Sequence, residues 1–380
     1  MSGWITERAD AYCDSVRDGT HDSPKPVERG HRLITSKHIA NETLNFAGAN
    51  FISDEDYEAI NQRSKVDVGD LLFSMIGTVG RVYRVDDEPD YAIKNMGLFK
   101  ISDELKSKYL FYYMQSPTAR QYIEGCLAGS TQKFMSLTSL RAFPIVYPND
   151  HTTMAAIVEI LDSLTWKHRI NQRTNDYLLE LCATRYGDVR REISGTSNTE
   201  RGVLTDLIEV CYGKDHKKLA DGTYPVYGSG GLMRYVEKYL HEGESVLIPR
   251  KGTLNNVMLV DGRFWTVDTM FYTNELMQGA ARYAYFILSK MDLASMNTGS
   301  AIPSMTTKIL SAIPVALPSE ELLTEMKEWS DPLFEQIRQN ERENENLSAL
   351  RDALLPKLMS GEIDVSEVEL TTQPNNHLSV

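Results

Sequence analysis

A chain of 380 residues, 42 % hydrophobic and 24 % charged, has the material for two or three globular cores. No uncharged apolar run approaches the ~18 residues that a bilayer crossing needs, and the N-terminus Met1-Ser2-Gly3-Trp4-Ile5 lacks an apolar signal region, so a cytoplasmic location is expected. A net charge of −13 argues against nucleic acid when taken over the whole chain, but residues 319–380 alone hold 5 basic against 14 acidic residues, which leaves the remainder close to neutral and able to present basic faces.

In chain order, the first predicted landmarks are Gly69-Asp70-Leu71-Leu72-Phe73-Ser74, a turn and buried strand, and the Gly77-Thr78 turn. An aromatic helix at Tyr109-Leu110-Phe111-Tyr112 follows, then Gly129-Ser130 and the strand Phe143-Pro144-Ile145-Val146-Tyr147-Pro148, opened and closed by prolines. A long helix follows and the plan then repeats. Gly243-Glu244-Ser245-Val246-Leu247-Ile248, Gly252-Thr253, Tyr283-Ala284-Tyr285-Phe286, Gly299-Ser300 and Ile313-Pro314-Val315-Ala316-Leu317-Pro318 recur in the same order. Five segments recurring in one order indicate a duplicated unit. The halves are not alike near their starts, where Gly19-Thr20-His21 has no counterpart.

Each half ends in a predicted helix of roughly 30–35 residues, about 45–53 Å at ~1.5 Å per residue. The first has a heptad seam through Ile157, Leu161, Leu164, His168, Asn171, Asn175, Leu178, Cys182 and Arg185. The second has one through Met326, Ser330, Leu333, Ile337, Asn340, Asn344, Leu347, Arg351, Leu354 and Leu358. Asn171, Arg173, Asn175, Leu178 and Leu181 fall on Asn340, Arg342, Asn344, Leu347 and Leu350, and Asp162 falls on Asp331. Asparagine in a seam costs stability but fixes register and partner, so the two helices are expected to pack on each other. The expected boundaries are an α/β domain over 1–150, a central helix over 151–187 and a linker over 188–202. A second α/β domain over 203–318, a C-terminal helix over 319–361 and a disordered acidic tail over 362–380 complete the chain.

Signatures of a stand-alone catalyst are missing. There is no phosphate-loop motif, no H-E-x-x-H, no metal-ligand spacing among the eight histidines and no G-x-S-x-G. Gly228-Ser229-Gly230-Gly231 reads as a turn, because it lacks a third glycine and a βαβ setting. No Pro-Pro occurs, which excludes the Asp/Asn-Pro-Pro-aromatic loop of amino-methyltransferases. The four cysteines are scattered, as expected for free thiols in a reducing compartment.

The passages Arg17-Asp18-Gly19-Thr20-His21-Asp22-Ser23-Pro24, Tyr224-Pro225-Val226-Tyr227-Gly228-Ser229-Gly230-Gly231, both Gly-Ser to Pro-aliphatic endings, and Leu355-Pro356-Lys357-Leu358-Met359-Ser360-Gly361-Glu362-Ile363 complete the pattern. Together, over essentially 1–365, the chain resembles the DNA specificity subunit of type I restriction–modification systems. The resemblance implies an α/β (α+β) chain with two duplicated target-recognition domains, separated by two long helices forming an antiparallel coiled coil. It implies a non-catalytic subunit that recognises a bipartite target in double-stranded DNA for host defence. Adenine methylation would fall to two modification subunits, which would carry S-adenosylmethionine, and restriction subunits could join them. A helical rod of the expected length could hold two reading heads about one duplex turn apart, roughly 34–36 Å.

Donor-rich loops beside glycines are the expected DNA contacts, since backbone can approach phosphate there and Arg, Lys, Asn and Gln read base edges. In the first domain these are Ser130, Gln132 and Lys133, then Thr20, His21 and Lys37. In the second they are Arg250, Lys251, Asn255 and Asn256, with Tyr227, Ser229 and Ser300. Leu164, Asn171, Asn175, Leu178, Leu333, Ile337, Asn340, Asn344 and Leu347 are the expected seam and subunit-docking positions. A two-headed structural adaptor that binds proteins is the rival reading.

Overall fold

The structure, a computed structural model, describes residues 3–40, 42–129, 133–195, 200–296 and 304–365. They fall into two compact units. The first joins the chain up to Arg169 with the chain from Glu343 onward, and the second spans Ile170–Arg342.

In the first unit a four-stranded antiparallel sheet runs in the order Ser15–Asp18, Met96–Lys100, Leu71–Ser74, Val82–Arg84. Leu71–Ser74 is buried throughout, as its unbroken apolar run requires of a central strand. A smaller sheet orders Asn50–Ile52, His31–Ile34 and Tyr91–Ile93, the last two parallel. Trp4–Arg8 pairs with Pro144–Pro148, an edge position that tolerates proline. The helix Glu104–Tyr113 fixes this pair from beneath: the Tyr109 hydroxyl donates to the Val146 carbonyl at 2.9 Å.

The second unit repeats the larger sheet, the three-stranded core of the smaller sheet and the edge pair. Its larger sheet runs Ile208–Tyr212, Met270–Glu275, Ser245–Pro249, Met258–Val260. Its smaller sheet runs Gly231–Val236, Asp221–Gly228, Arg263–Thr266, with His241–Glu242 added at the edge and the same parallel pair. Arg201–Val203 pairs with Pro314–Ala316, and the Tyr283 hydroxyl donates to the Ala316 carbonyl at 3.1 Å. The two tyrosines and the two carbonyls are the positions that the sequence repeat aligns.

The two long helices, His151–Gly195 and Glu320–Met359, are 45 and 40 residues long; the first overruns its expected end at 187 and the second lies within the expected 319–361. Within each unit they pack antiparallel. In the second, the Tyr186 hydroxyl lies 3.2 Å from the Met326 carbonyl and 3.1 Å from Ser330, while Asn340 Nδ2 donates to Asn175 Oδ1 at 2.7 Å. In the first, Met154, Ile157 and Leu161 share a core with Leu355, Leu358 and Met359, and Lys167 meets Glu343 at 3.1 Å. A shifted register would leave the Asn175 and Asn340 amides short of partners, which explains why asparagine sits in this seam. Asn171, Ile337 and Asn340 are buried, and Leu164, Leu178, Leu333, Asn344 and Leu347 are half-buried.

Three expectations are corrected. The central helix does not stop at 187: Val189 is buried and Ile193 packs on the second core, which outweighs the helix cost of ~1 kcal/mol at Gly187. The seam therefore passes through Tyr186, and Arg185 is exposed. The second domain begins inside the expected linker, with the strand at Arg201. At the other end the chain is ordered beyond 361. Gly361 adopts φ +69°, which suits a helix C-terminus, and any Cβ there would stand 2.7 Å from the Trp4 indole nitrogen. Past that turn Val365 is buried against the first core. All four cysteines are free.

Candidate nucleic-acid interface

In both domains four segments meet at one end of the sheets. The first follows the opening strand of the larger sheet. Gly19 donates to the Met96 carbonyl at 2.8 Å, and a Cβ on it would lie 2.4 Å from the Ile93 oxygen, so only glycine fits. Gly213 donates to the Met270 carbonyl at 3.0 Å, and a Cβ there would lie 2.1 Å from the Val267 oxygen. The next amides, Thr20 and Lys214, donate to Ile93 and Thr266. Gly213-Lys214 is therefore the counterpart of Gly19-Thr20, correcting the expectation that none exists. It was hidden because the first domain carries an additional helix, Asp54–Ser64, which changes the spacing.

The second segment follows the middle strand of the smaller sheet. Lys94 donates to the Ile34 carbonyl at 2.8 Å and Val267 to the Tyr227 carbonyl at 3.1 Å, which puts Thr35–His38 and Gly228–Gly231 in equivalent places. Lys37 and Ser229 thus occupy the same end of the two folds. Gly228-Ser229-Gly230-Gly231 is the hairpin turn that the sequence suggested, with Gly228 paired to Gly231.

The third segment, the Gly-Thr turn, lies against the fourth, the described residues that follow the Gly-Ser pair, 133–135 in the first domain and 304–305 in the second. Met135 donates to Met75 at 2.9 Å beside an Ile76–Phe134 bridge, and Met305 donates to Arg250 at 2.9 Å beside a Lys251–Ser304 bridge. A side chain at one repeated position, just after the Gly-Thr turn, then reaches the backbone at the second segment. Arg81 Nη1 donates to the Ile39 carbonyl at 2.7 Å, and Asn256 Nδ2 donates to the Ser229 carbonyl at 2.8 Å. Arg81 was missed, although it follows Gly77 by the same four residues that separate Asn256 from Gly252.

Several expected contacts spend their donors inside the chain. The His21 ring is held between Asp18 Oδ2 at 2.9 Å and Asn95 Oδ1 at 2.8 Å, and buried Asp18 also pairs with Arg63. Arg250 donates to the Asp268 carbonyl at 2.7 Å, with its guanidinium 4.7 Å from the Tyr212 ring centre. Asn255 binds Asp292 at 3.0 Å and accepts from the Ala294 amide. The Tyr227 ring meets Phe264 edge-on. Burial pushes the His38 imidazole down, with a further push from Lys37, and its Nδ1 accepts from the Thr35 amide, so the neutral ring braces this loop. Lys37, Lys133, Lys214 and Lys251 are exposed, with Thr20 and Ser229 half-buried beside them. Ser130, Gln132 and Ser300 lie outside the described residues. Among the described residues the arrangement is a lysine-bearing rim, repeated once per domain.

The family model for the type I restriction modification DNA specificity domain matches the chain twice, over residues 25–180 and 197–348. The chain belongs to this family. Its relatives include the type I restriction enzyme MjaIX specificity subunit of Methanocaldococcus jannaschii, 22 % identical over 309 residues, which are 70 % of this chain and 71 % of that one. The EcoprrI specificity subunit of Escherichia coli is 29 % identical over 99 residues, 26 % of this chain and 25 % of the relative. The crystal structure of the type I restriction–modification S subunit from M. genitalium shares the fold, with a TM-score of 0.57 at 16 % identity over 93 % of this chain and 96 % of that one. Specificity subunits of type I systems are non-catalytic, and this chain is one of them. Among the described residues no helix is long and apolar enough to cross a membrane.

Proposed function

We propose that this specificity subunit reads a bipartite sequence in double-stranded DNA, one half-site per domain. Two modification subunits carrying S-adenosylmethionine would methylate an adenine in each half-site, and ATP-dependent restriction subunits would be further partners. The observation that supports this best is the repeated rim, where equivalent segments meet in both domains and carry the exposed lysines Lys37 and Lys133 in the first and Lys214 and Lys251 in the second. Such rims suit phosphate contact through Lys, Thr and Ser and base-edge contact from the loop tips. Thr20, Lys37 and Lys133 act in the first head, and Lys214, Ser229 and Lys251 in the second. His21, Arg250, Asn255 and Asn256 hold those loops in shape.

The test is an exchange of residues 1–150 for the first domain of another family member, followed by methylome sequencing. One half of the methylated motif should change and the other should stay. A simultaneous change in both halves would sink the two-head reading. At finer scale, alanine at Gln132 and Lys133 should weaken or relax the first half-site by ~1–3 kcal/mol for a genuine base contact. A loss that is uniform across sequences and flattens the salt dependence would make them phosphate contacts.

A further inference from the structure

The hairpin of the second domain's rim carries two exposed apolar side chains in a row. Leu232 is 50 % exposed and Met233 57 %, directly after the turn Gly228-Ser229-Gly230-Gly231. A regular strand turns successive side chains to opposite faces, so neighbours are seldom exposed together. Here the ladder is irregular. Val226 pairs with Arg234 while the next residue, Tyr227, pairs with Leu232, so Met233 is the extra residue of a β-bulge. Bulges re-aim side chains, and they gather beside functional sites.

The first domain supplies the contrast. Ile34 and Tyr227 are equivalent, since their carbonyls accept from Lys94 and Val267, so Leu33 matches Val226. The strand partners of those two, Asn50 and Arg234, then match as well. The places of Leu232 and Met233 are therefore filled by Gly48 and Ala49 in the first domain. The apolar pair is private to the second head. Its hairpin is seated on the Gly-Thr turn: Asn256 Nδ2 donates to the Ser229 carbonyl at 2.8 Å, and a Cβ on Gly252 would stand 2.6 Å from Ser229 Oγ. Lys251 leads that turn and is exposed, as is Lys214 on the same rim. A lone exposed apolar residue needs no explanation. Two in succession on a bulge, on a lysine-bearing rim that attracts a polyanion, do need one.

We propose that Leu232 and Met233 select thymine in the second half-site, through apolar contact with its C5-methyl group. That methyl stands in the major groove, which is wide enough to admit a two-stranded ribbon such as this hairpin. The inference rests on the proposed function for the DNA itself and adds the base that one head reads. Gly48 and Ala49 leave the first head without this contact.

The test uses the full chain with its modification subunit and a duplex carrying the motif found by methylome sequencing. Each thymine of the second half-site, on either strand, is replaced in turn by deoxyuridine, which removes only the methyl group. A half-site with an adenine to methylate always has a thymine opposite it, so the scan has a position to probe. Wild type should bind about fourfold more weakly at one or two positions, the worth of one buried methyl. The Leu232→Ala, Met233→Ala double variant should bind the thymine duplex more weakly and no longer distinguish deoxyuridine. Its salt dependence should stay unchanged, because no phosphate contact is removed. Its thermal melt should match wild type, since both side chains are exposed. Wild-type indifference at every position, or a double variant that keeps the thymine preference, would overturn the assignment and leave the proposed function intact. So would an equal loss on thymine and deoxyuridine duplexes, the signature of a wedge between base steps. A wild-type complex with no sequence-specific binding would overturn the proposed function and this inference with it.

Discussion

In the first unit Lys108 reaches Asp162 with about a third of each side chain exposed, and the Tyr112 hydroxyl donates to the same carboxylate at 2.7 Å. In the second, Arg282 occupies the position of Lys108, but its side chain is only 2 % exposed. It binds Glu244 at 2.8 Å, Asp331 at 2.7 Å and Ser330 at 2.7 Å, over the Phe334 ring. One aspartate has been kept at the base of each domain while the cation and its surroundings were rebuilt. The exposed version can lose a partner to water, whereas the buried version leaves a charge stranded when broken. Equivalent positions therefore carry very different energetic weight.

The largest expected effect is Arg282→Met. It strands Glu244 in the core and should cost the second unit ~3–5 kcal/mol, read by hydrogen exchange of its peptides under urea. A loss below 1 kcal/mol would mean that the site relaxes and that the two anchors are alike. Next, Asn175→Ala should cost ~1–3 kcal/mol by leaving Asn340 Nδ2 without its acceptor, while Asn175→Leu with Asn340→Leu together should be close to neutral. An equal loss in the double variant would show that packing, not the amide pair, holds the seam.

Tyr109→Phe and Tyr283→Phe should each cost ~1 kcal/mol in their own unit, and a marked inequality would break the equivalence of the two tyrosine–strand bonds. The weakest mutation is Lys108→Met, at about 1 kcal/mol or less because its pair is partly exposed. Acid sharpens the same comparison. Burial pushes the Asp331 carboxyl up, but hydrogen bonds from Lys327 and Arg282 outweigh it and leave the group below its ordinary value of 3.8. Its contribution is complete above that value and is lost as pH falls through the depressed one. Asp331→Asn should thus flatten the acid limb of the second unit's stability curve, and an unchanged limb would remove Asp331 from the account.

Much of this organisation was legible because duplication keeps short-range signals. Gly77 and Gly252 both take positive φ, at 79° and 84°, and the aligned strands Leu71–Ser74 and Ser245–Pro249 are both buried along their whole length. Long-range partners were not legible. Nothing in the local pattern says that Arg169 will meet Asp86, or that Arg81 will reach the Ile39 carbonyl. The counterpart of Gly19 was lost to a length change, and the end of the central helix was misjudged because Gly187 is a weak stop against the burial of Val189. In the rim, residue type overstated availability: Arg250, Asn255 and Asn256 look like readers in sequence and act as fasteners in three dimensions.

The contact of Gly361 with Trp4 has a consequence for biosynthesis. Leu355, Leu358, Met359 and Val365 belong to the same core as Tyr12, Val16 and Leu71, so the first domain lacks part of its interior until residues 355–365 have left the ribosome. The second unit, Ile170–Arg342, is one uninterrupted stretch and has all its parts earlier. Vectorial synthesis ordinarily favours the N-terminal domain. Here the order of completion is reversed, and a nascent chain truncated before residue 355 carries a finished second domain and an unfinished first one.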